Sequence, residues 1–129
     1  MLFLIDTHVF LWALNEPEKL SNLHRQIIEN KNNTIVVSYF SYIEIAIKQK
    51  LGKLDQFDLN AISEYAEKKE FLNLNISLSH IKQYENLPLM PEHRDPFDRF
   101  IISTAFVENM KLITVDSKFQ LYKDLVKII

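Results

Sequence analysis

Four acidic residues stand where acids are out of place. Asp6 ends the apolar run Leu2-Phe3-Leu4-Ile5, and Glu44 lies among Tyr42, Ile43, Ile45 and Ala46. Asp98 breaks the start of the nearly all-apolar run from Phe97 to Val107, and Asp116 ends the run Lys111-Leu112-Ile113-Thr114-Val115. Three of them have ordinary alternatives. Asp6 or Thr7 can N-cap a helix, Ser41-x-x-Glu44 has the form of a capping box, and Asp98 can complement the dipole of a helix N-terminus. Brought together in one cleft, the four are a charge problem. Two unit charges about 4 Å apart repel by about 4 kcal/mol at an effective dielectric of roughly 20. Either the carboxyls protonate or a hard divalent cation neutralises them. All-oxygen ligation suits Mg²⁺, with Mn²⁺ as a substitute, and gives no reason to expect zinc. Such an ion lowers the pKa of bound water and stabilises an in-line displacement at phosphorus. Asp6, Glu44, Asp98 and Asp116 would then be metal ligands, one of them also orienting or deprotonating the attacking water.

The elements around the acids are consistent with that meeting. Leu2 to Ile5 reads as a central strand buried on both faces, followed by the helical pattern Val9 to Leu14. Asp6 thus sits at the carboxyl end of a strand, where open α/β sheets place their ligands. His8 packs or hydrogen-bonds locally, and Phe10 and Trp12 are core or interface groups. Asn15-Glu16-Pro17-Glu18 breaks the helix, and Leu20 to Asn30 forms a second one, with Ser21 as a cap and Leu20, Leu23, Ile27 and Ile28 on one face. Lys31-Asn32-Asn33 turns into the β-branched strand Thr34 to Ser38. The next helix places Glu44 in its first turn, with Lys48 one turn on as a partner, and the only glycine, Gly52, closes it. Lys48, Lys50 and Lys53 are either a solvated face or a contact for a phosphate backbone.

Leu59 to Lys68 forms another helix, Phe71 to Leu74 a third strand, and Ser77 opens a helix ending near Glu85. His24 and His80 read as structural. Pro96 cannot sit inside a helix and pushes Asp95 out of the helical region, so a helix begins there with Asp95 as N-cap. Asp116-Ser117 starts a short segment through Tyr122, and Leu125 to Ile129 is a candidate last strand. Strand–helix alternation predicts a three-layer α/β/α sandwich around a mostly parallel sheet.

Composition bounds the rest. The 129 residues argue for one domain, 1–129, large enough for a real core. With 47% hydrophobic and 25% charged residues the chain is globular, not disordered. No apolar run reaches membrane-spanning length, and the start lacks the basic region and cleavage site of a secretory signal, so a cytoplasmic protein is expected. Zero cysteines exclude a disulfide framework, a thiolate zinc site and a cysteine nucleophile. The net charge of −2 confines any nucleic-acid surface to a local patch, supplied in part by a second subunit if one is present.

Ile5-Asp6-Thr7-His8 with Leu11-Trp12, then Ser38-x-x-Ser41-x-x-Glu44-Ile45-Ala46-Ile47-Lys48, then His93-Arg94-Asp95-Pro96-Phe97-Asp98-Arg99 and Thr114-x-Asp116, together resemble PIN-domain proteins. The resemblance covers essentially the whole chain and is nearest to the VapC-type toxins of toxin–antitoxin pairs, in particular members paired with Phd-like antitoxins. It implies a metal-dependent endoribonuclease, active with Mg²⁺ or Mn²⁺ on an RNA substrate. A homodimer and a small cognate antitoxin that blocks the cleft are implied with it. By motif, Asp6, Glu44, Asp98 and Asp116 match the family's acidic site. Asp95 is a supporting residue or simply the cap. Arg99 contacts phosphate, holds Asp95 or Asp98, or makes a structural ion pair. Thr7, Lys48 and Thr114 are further supporting or substrate-contact candidates, and Trp12, Tyr39 and Phe40 are candidates for an exposed dimer interface. Ser103-Thr104 departs from the small residues common there in the family, without touching the acids. Two other readings stay open: a DNA or structure-specific nuclease on the same scaffold, and a catalytically silent RNA- or partner-binding module.

Overall fold

The computed structural model describes residues 1–129. Four short strands, β1 (Leu2–Ile5), β2 (Thr34–Ser38), β3 (Leu72–Leu74) and β4 (Lys111–Ile113), form one sheet in the order β3-β2-β1-β4, and every pairing is parallel. Parallel neighbours need crossovers, and six α-helices supply them: α1 (Thr7–Asn15), α2 (Asn22–Glu29), α3 (Tyr39–Lys50), α4 (Leu59–Lys68), α5 (Leu78–Asn86) and α6 (Pro96–Glu108).

Side chains alternate along a strand, so a sheet covered on both faces must build two cores. Phe3, Ile5, Ile35, Val37 and Ile113 point into one, with Val9, Phe10, Ile45, Ile62 and Ala66 from the helices. Leu4, Val36 and Leu112 point into the other, with Phe40, Ile101, Ile102, Ala105, Phe119 and Tyr122. The expected three-layer sandwich follows. The chain leaves β1 for β2 and β3 on one side, then returns past β1 to β4 on the other. The reversal puts a crevice between the carboxyl ends of β1 and β4, where such sheets bind ligands.

Several boundaries differ from the sequence expectation, each for a local reason. The hydroxyl of Ser38, not of Ser41, caps α3 by accepting from the Phe40 N–H. The helix therefore starts at Tyr39, Glu44 falls in its second turn, and the Ser41–Glu44 capping box does not form; Ser41 Oγ instead accepts from Thr7 Oγ1 at 2.9 Å. β4 stops at Ile113, because Asp116 becomes the N-cap of a 3₁₀ segment, Ser117–Tyr122. The candidate last strand is reduced to one parallel bridge, Leu112 to Ile128, with Ile129 N–H donating to the Leu112 carbonyl. Leu23 is exposed, and α2 runs Asn22–Glu29 inside its expected span. Phe40 is buried and stacked on Phe100 with ring centroids 4.4 Å apart, so it is not an exposed interface group. Gly52 takes φ of 71° just past α3, as a helix-terminating glycine does.

The α6 entry develops as expected. Asp95 Oδ1 accepts from the N–H groups of Phe97 and Asp98, and Pro96 occupies the first helical position. Ser103 and Thr104 return their hydroxyls to the carbonyls of Arg99 and Phe100, which lets them sit fully buried in the helix. Because Ile102 is fully buried in the core that anchors α6, Ile102→Ala is expected to cost about 2–5 kcal/mol in urea unfolding. A loss below about 1 kcal/mol would show that this face of the sheet is loosely packed.

Candidate active site

Asp6 is 3% exposed and immediately precedes α1. It does both things the sequence left open. Its Oδ1 caps the helix, accepting from the Val9 N–H at 2.8 Å, while Oδ2 accepts from Thr114 Oγ1 at 2.5 Å. Thr114 Oγ1 in turn accepts from the Asp116 N–H at 3.0 Å. One threonine thus ties the Asp6 carboxylate at the end of β1 to the Asp116 backbone N–H past the end of β4. Burial pushes the Asp6 carboxyl above its usual range, and the nearby Glu44 charge adds to this against the Thr114 and Val9 hydrogen bonds.

Glu44 reaches the same crevice from α3 and is 4% exposed. Its Oε2 pairs with Lys48 Nζ at 2.6 Å, one helical turn on. Its Oε1 is buried with no hydrogen-bond partner. A buried carboxylate oxygen without a partner costs on the order of 1–3 kcal/mol or more. Burial works against the Lys48 charge, but the Glu44 hydrogen bond and the charges of Glu44, Asp95 and Asp98 outweigh it and hold Lys48 above its ordinary value. Lys48 is thus a cation at the rim of an acidic crevice, with its side chain 38% exposed.

Asp98 enters from the first turn of α6. Its Oδ2 lies 3.0 Å from His93 Nε2. Burial, with the charges of Asp95 and Glu44, raises its carboxyl to about 6 despite the His93 hydrogen bond. Asp116 is half-buried, and its Oδ1 accepts from the Lys118 N–H. Ligand atoms of His93, Asp98 and Asp116 all fall within 4.8 Å of one another. The acids are linked pairwise: Thr114 Oγ1 bonds both the Asp6 carboxylate and the Asp116 backbone N–H, ligand atoms of Asp98 and Asp116 lie within 4.8 Å of each other, and Glu44 is within electrostatic reach of both Asp6 and Asp98.

The supporting candidates divide. Thr114 and Lys48 touch the acids directly, Asp95 caps α6 beside them, and Thr7 braces α1 against α3 through Ser41. Arg99 behaves differently from expectation. It is buried, gives its N–H groups to the Pro88 carbonyl and the Tyr122 hydroxyl, and lies over the Tyr84 ring. It holds neither acid and is too enclosed to meet a phosphate. His93 was not among the candidates. It lies on no regular element, and its partners Asp98 and Tyr122 are set by folding, so only the nearness of His93 to Asp98 in the chain hinted at it. A cavity of about 620 Å³ lies elsewhere: Leu20, Arg25, Thr34, Tyr65 and Phe71 line it near the starts of β2 and β3, and it contains none of the four acids. The charge geometry, not cavity size, identifies the site.

An all-carboxylate donor set suits a hard divalent cation, and the orphaned Glu44 Oε1 and the raised Asp98 are what such a set would show without one. The residues fit Mg²⁺ or Mn²⁺.

A family model, the PIN domain, matches residues 3–125. Ribonuclease VapC22 of Mycobacterium tuberculosis is 26% identical over 124 residues, which span 93% of this chain and 91% of that protein. Among solved structures, VapBC2 from Rickettsia felis bound to a DNA fragment from its promoter superposes with a TM-score of 0.72 at 19% identity, covering 100% of this chain and 98% of that one. VapBC-1 from nontypeable Haemophilus influenzae gives 0.66 at 22% identity, covering 100% and 97%. At such identities the solved structures speak to the fold.

Asp98 titrates near 6 when folded and near 3.8 when unfolded. Its protonated form therefore contributes stability that is fully present below about pH 4 and is lost as pH rises through 6. Without metal, Asp98→Asn should gain on the unsubstituted protein by on the order of 2 kcal/mol between pH 4 and pH 7 in urea unfolding. Mn²⁺ at pH 7 should close the gap. Parallel pH profiles for the two proteins would refute the crowding of charge around Asp98.

Proposed function

The chain belongs to the PIN domain family, and on that premise we propose that it is a Mg²⁺-dependent endoribonuclease, the toxin of a type II toxin–antitoxin pair kept inactive by a cognate antitoxin. The single observation that carries the metal is Glu44 Oε1, a buried carboxylate oxygen with no partner in a crevice of four acids. The RNA substrate is supported by the relative named a ribonuclease, and the antitoxin by the similar solved structures being VapBC complexes. A homodimer belongs to the same proposal. Half-buried Trp12 and Tyr39, exposed Ile43 and Ile47 on α3, and Leu51 just past its end are its candidate contacts.

Asp6, Glu44, Asp98 and Asp116 would hold the cation. When bound, it supplies positive charge beside the scissile phosphate and makes water more acidic at neutral pH. The protein's own groups do the rest. Thr114 and the Val9 N–H fix both oxygens of Asp6, so its carboxylate cannot turn away. Lys48, tethered by Glu44 yet partly open to solvent, offers a cation at the rim for a backbone phosphate. The reaction is hydrolysis: a water oxygen bonds to phosphorus, the bond from phosphorus to the leaving ribose oxygen breaks, and the water's proton passes by way of a carboxylate to the leaving oxygen. The crevice lies at the open edge of the sheet, which favours single-stranded or looped RNA whose backbone can be drawn in.

Purified protein is expected to cut single-stranded RNA oligonucleotides with Mg²⁺ or Mn²⁺, to stop in excess chelator, and to leave DNA of the same sequence intact. Asp6→Asn keeps a capping side chain, so circular dichroism should not change while cleavage falls at least ~100-fold. Cleavage of DNA at the RNA rate would favour the broader nuclease. RNA binding in chelator without cleavage under any metal would favour the silent module.

A further inference from the structure

The hydrogen bonds behind Asp98 run in one direction. A guanidinium can only donate. Arg99 Nη1 gives one N–H to the Pro88 carbonyl at 3.0 Å and another to the Tyr122 hydroxyl oxygen at 2.9 Å. Tyr122 is 1% exposed, so its own O–H hydrogen needs an acceptor inside the protein. The acceptor in reach is His93 Nδ1 at 3.1 Å. A ring nitrogen that accepts carries no proton, which leaves the imidazole proton on Nε2. Nε2 faces Asp98 Oδ2 at 3.0 Å. The His93 ring is held in this orientation by edge packing on Tyr122 and tilted packing on Phe119.

We propose that Arg99, Tyr122 and His93 form a one-way hydrogen-bond relay that grips Asp98 by Oδ2 and leaves its other oxygen for a divalent cation, so that His93 is a positioning residue and not a metal ligand. The inference rests on the reading of Asp98 as a ligand. The competing arrangement is real: a ring nitrogen of His93 lies within 4.8 Å of one carboxylate oxygen each of Asp98 and Asp116, a spacing three ligands of one ion could have. To ligate, Nε2 must surrender its proton and Nδ1 must become the donor. Tyr122 would then receive N–H groups from both Arg99 and His93, and its buried hydroxyl hydrogen would have no acceptor. The relay also has a second consequence. Tyr122 closes the 3₁₀ segment that Asp116 opens, while Asp98 and Arg99 belong to α6. The same bonds that orient Asp98 therefore fix its distance from Asp116.

Nitrogen-15 NMR of the full chain labelled at histidine reads the arrangement directly. His93 should show a protonated Nε2 and an accepting Nδ1 without metal, and the same pattern with saturating Mg²⁺. A proton on Nδ1 in the metal-free protein, or its transfer there when Mg²⁺ is added, overturns the proposal. Tyr122→Phe removes one oxygen and keeps the ring. It should fold, as judged by thermal unfolding, and bind Mn²⁺ about 10-fold more weakly by calorimetry, the usual effect of losing a group that orients a ligand. Unchanged Mn²⁺ affinity in Tyr122→Phe also overturns it. His93→Gln, which can still present an N–H to Asp98, should bind Mn²⁺ more tightly than His93→Ala; equal affinities would contradict the relay. Asp98→Asn separates the two levels. If it binds Mn²⁺ as the unsubstituted protein does, Asp98 is not a ligand and the functional assignment of the site fails, whichever tautomer His93 carries.

Discussion

Like charges crowded into one crevice are the constraint on which the rest of the molecule depends. Carboxylates repel strongly once water is excluded from between them, and Asp6 and Glu44 are almost fully buried. Nothing in a fold of this size would keep that arrangement for stability alone, because replacing buried charge by apolar packing is commonly neutral or stabilising. The protein meets the charge only in part. Lys48 neutralises one oxygen of Glu44, Asp98 is pushed toward protonation, and the other Glu44 oxygen has no partner. On the proposed reading a hard divalent cation supplies the rest, since carboxylate oxygens suit such an ion.

The architecture delivers these acids with few degrees of freedom. Asp6 and Asp116 follow adjacent parallel strands, and Thr114 bonds to both. Glu44 hangs from α3, whose start is fixed by the Ser38 cap at the end of β2. Asp98 is placed by Asp95 and Pro96, which decide where α6 begins, and by His93 from the loop before it. Asp6, Asp98 and Asp116 are therefore anchored at helix starts and Glu44 within α3, which holds a constellation more tightly than a mobile loop would.

Much of this was legible in the sequence because the strongest local signals lie at the site itself. The apolar run broken by Asp6 shows a strand end, and Asp95-Pro96 shows a helix start, since proline leaves few conformations open. The alternation of strands and helices gave the three-layer sandwich. The parts that were not legible depend on distant partners. Ser38 and Ser41 are both good caps, and nothing local decides between them; Ser41 is drawn away by Thr7, 34 residues earlier in the chain. Arg99 looked like a partner for the neighbouring acids, yet Tyr122, 23 residues on, and Pro88 claim its guanidinium. His93 escaped notice for the same reason. The tail Leu125 to Ile129 has strand composition, but it lies at the sheet edge beside the three-residue β4, where Leu112 bonds to Lys127 and Ile129 and Thr114 to Ile129, and a single bridge results.

On the proposed reading, Asp6, Glu44, Asp98 and Asp116 share a divalent cation at the carboxyl edge of the sheet. Anomalous diffraction from crystals grown with Mn²⁺ tests it most directly. A manganese peak is expected in the crevice between β1 and β4, with carboxylate oxygens of Asp98 and at least two of the other three acids at about 2.0–2.6 Å. Saturated crystals with no peak there, or with a peak bound by His93 Nε2 and not by Glu44 or Asp6, would contradict it.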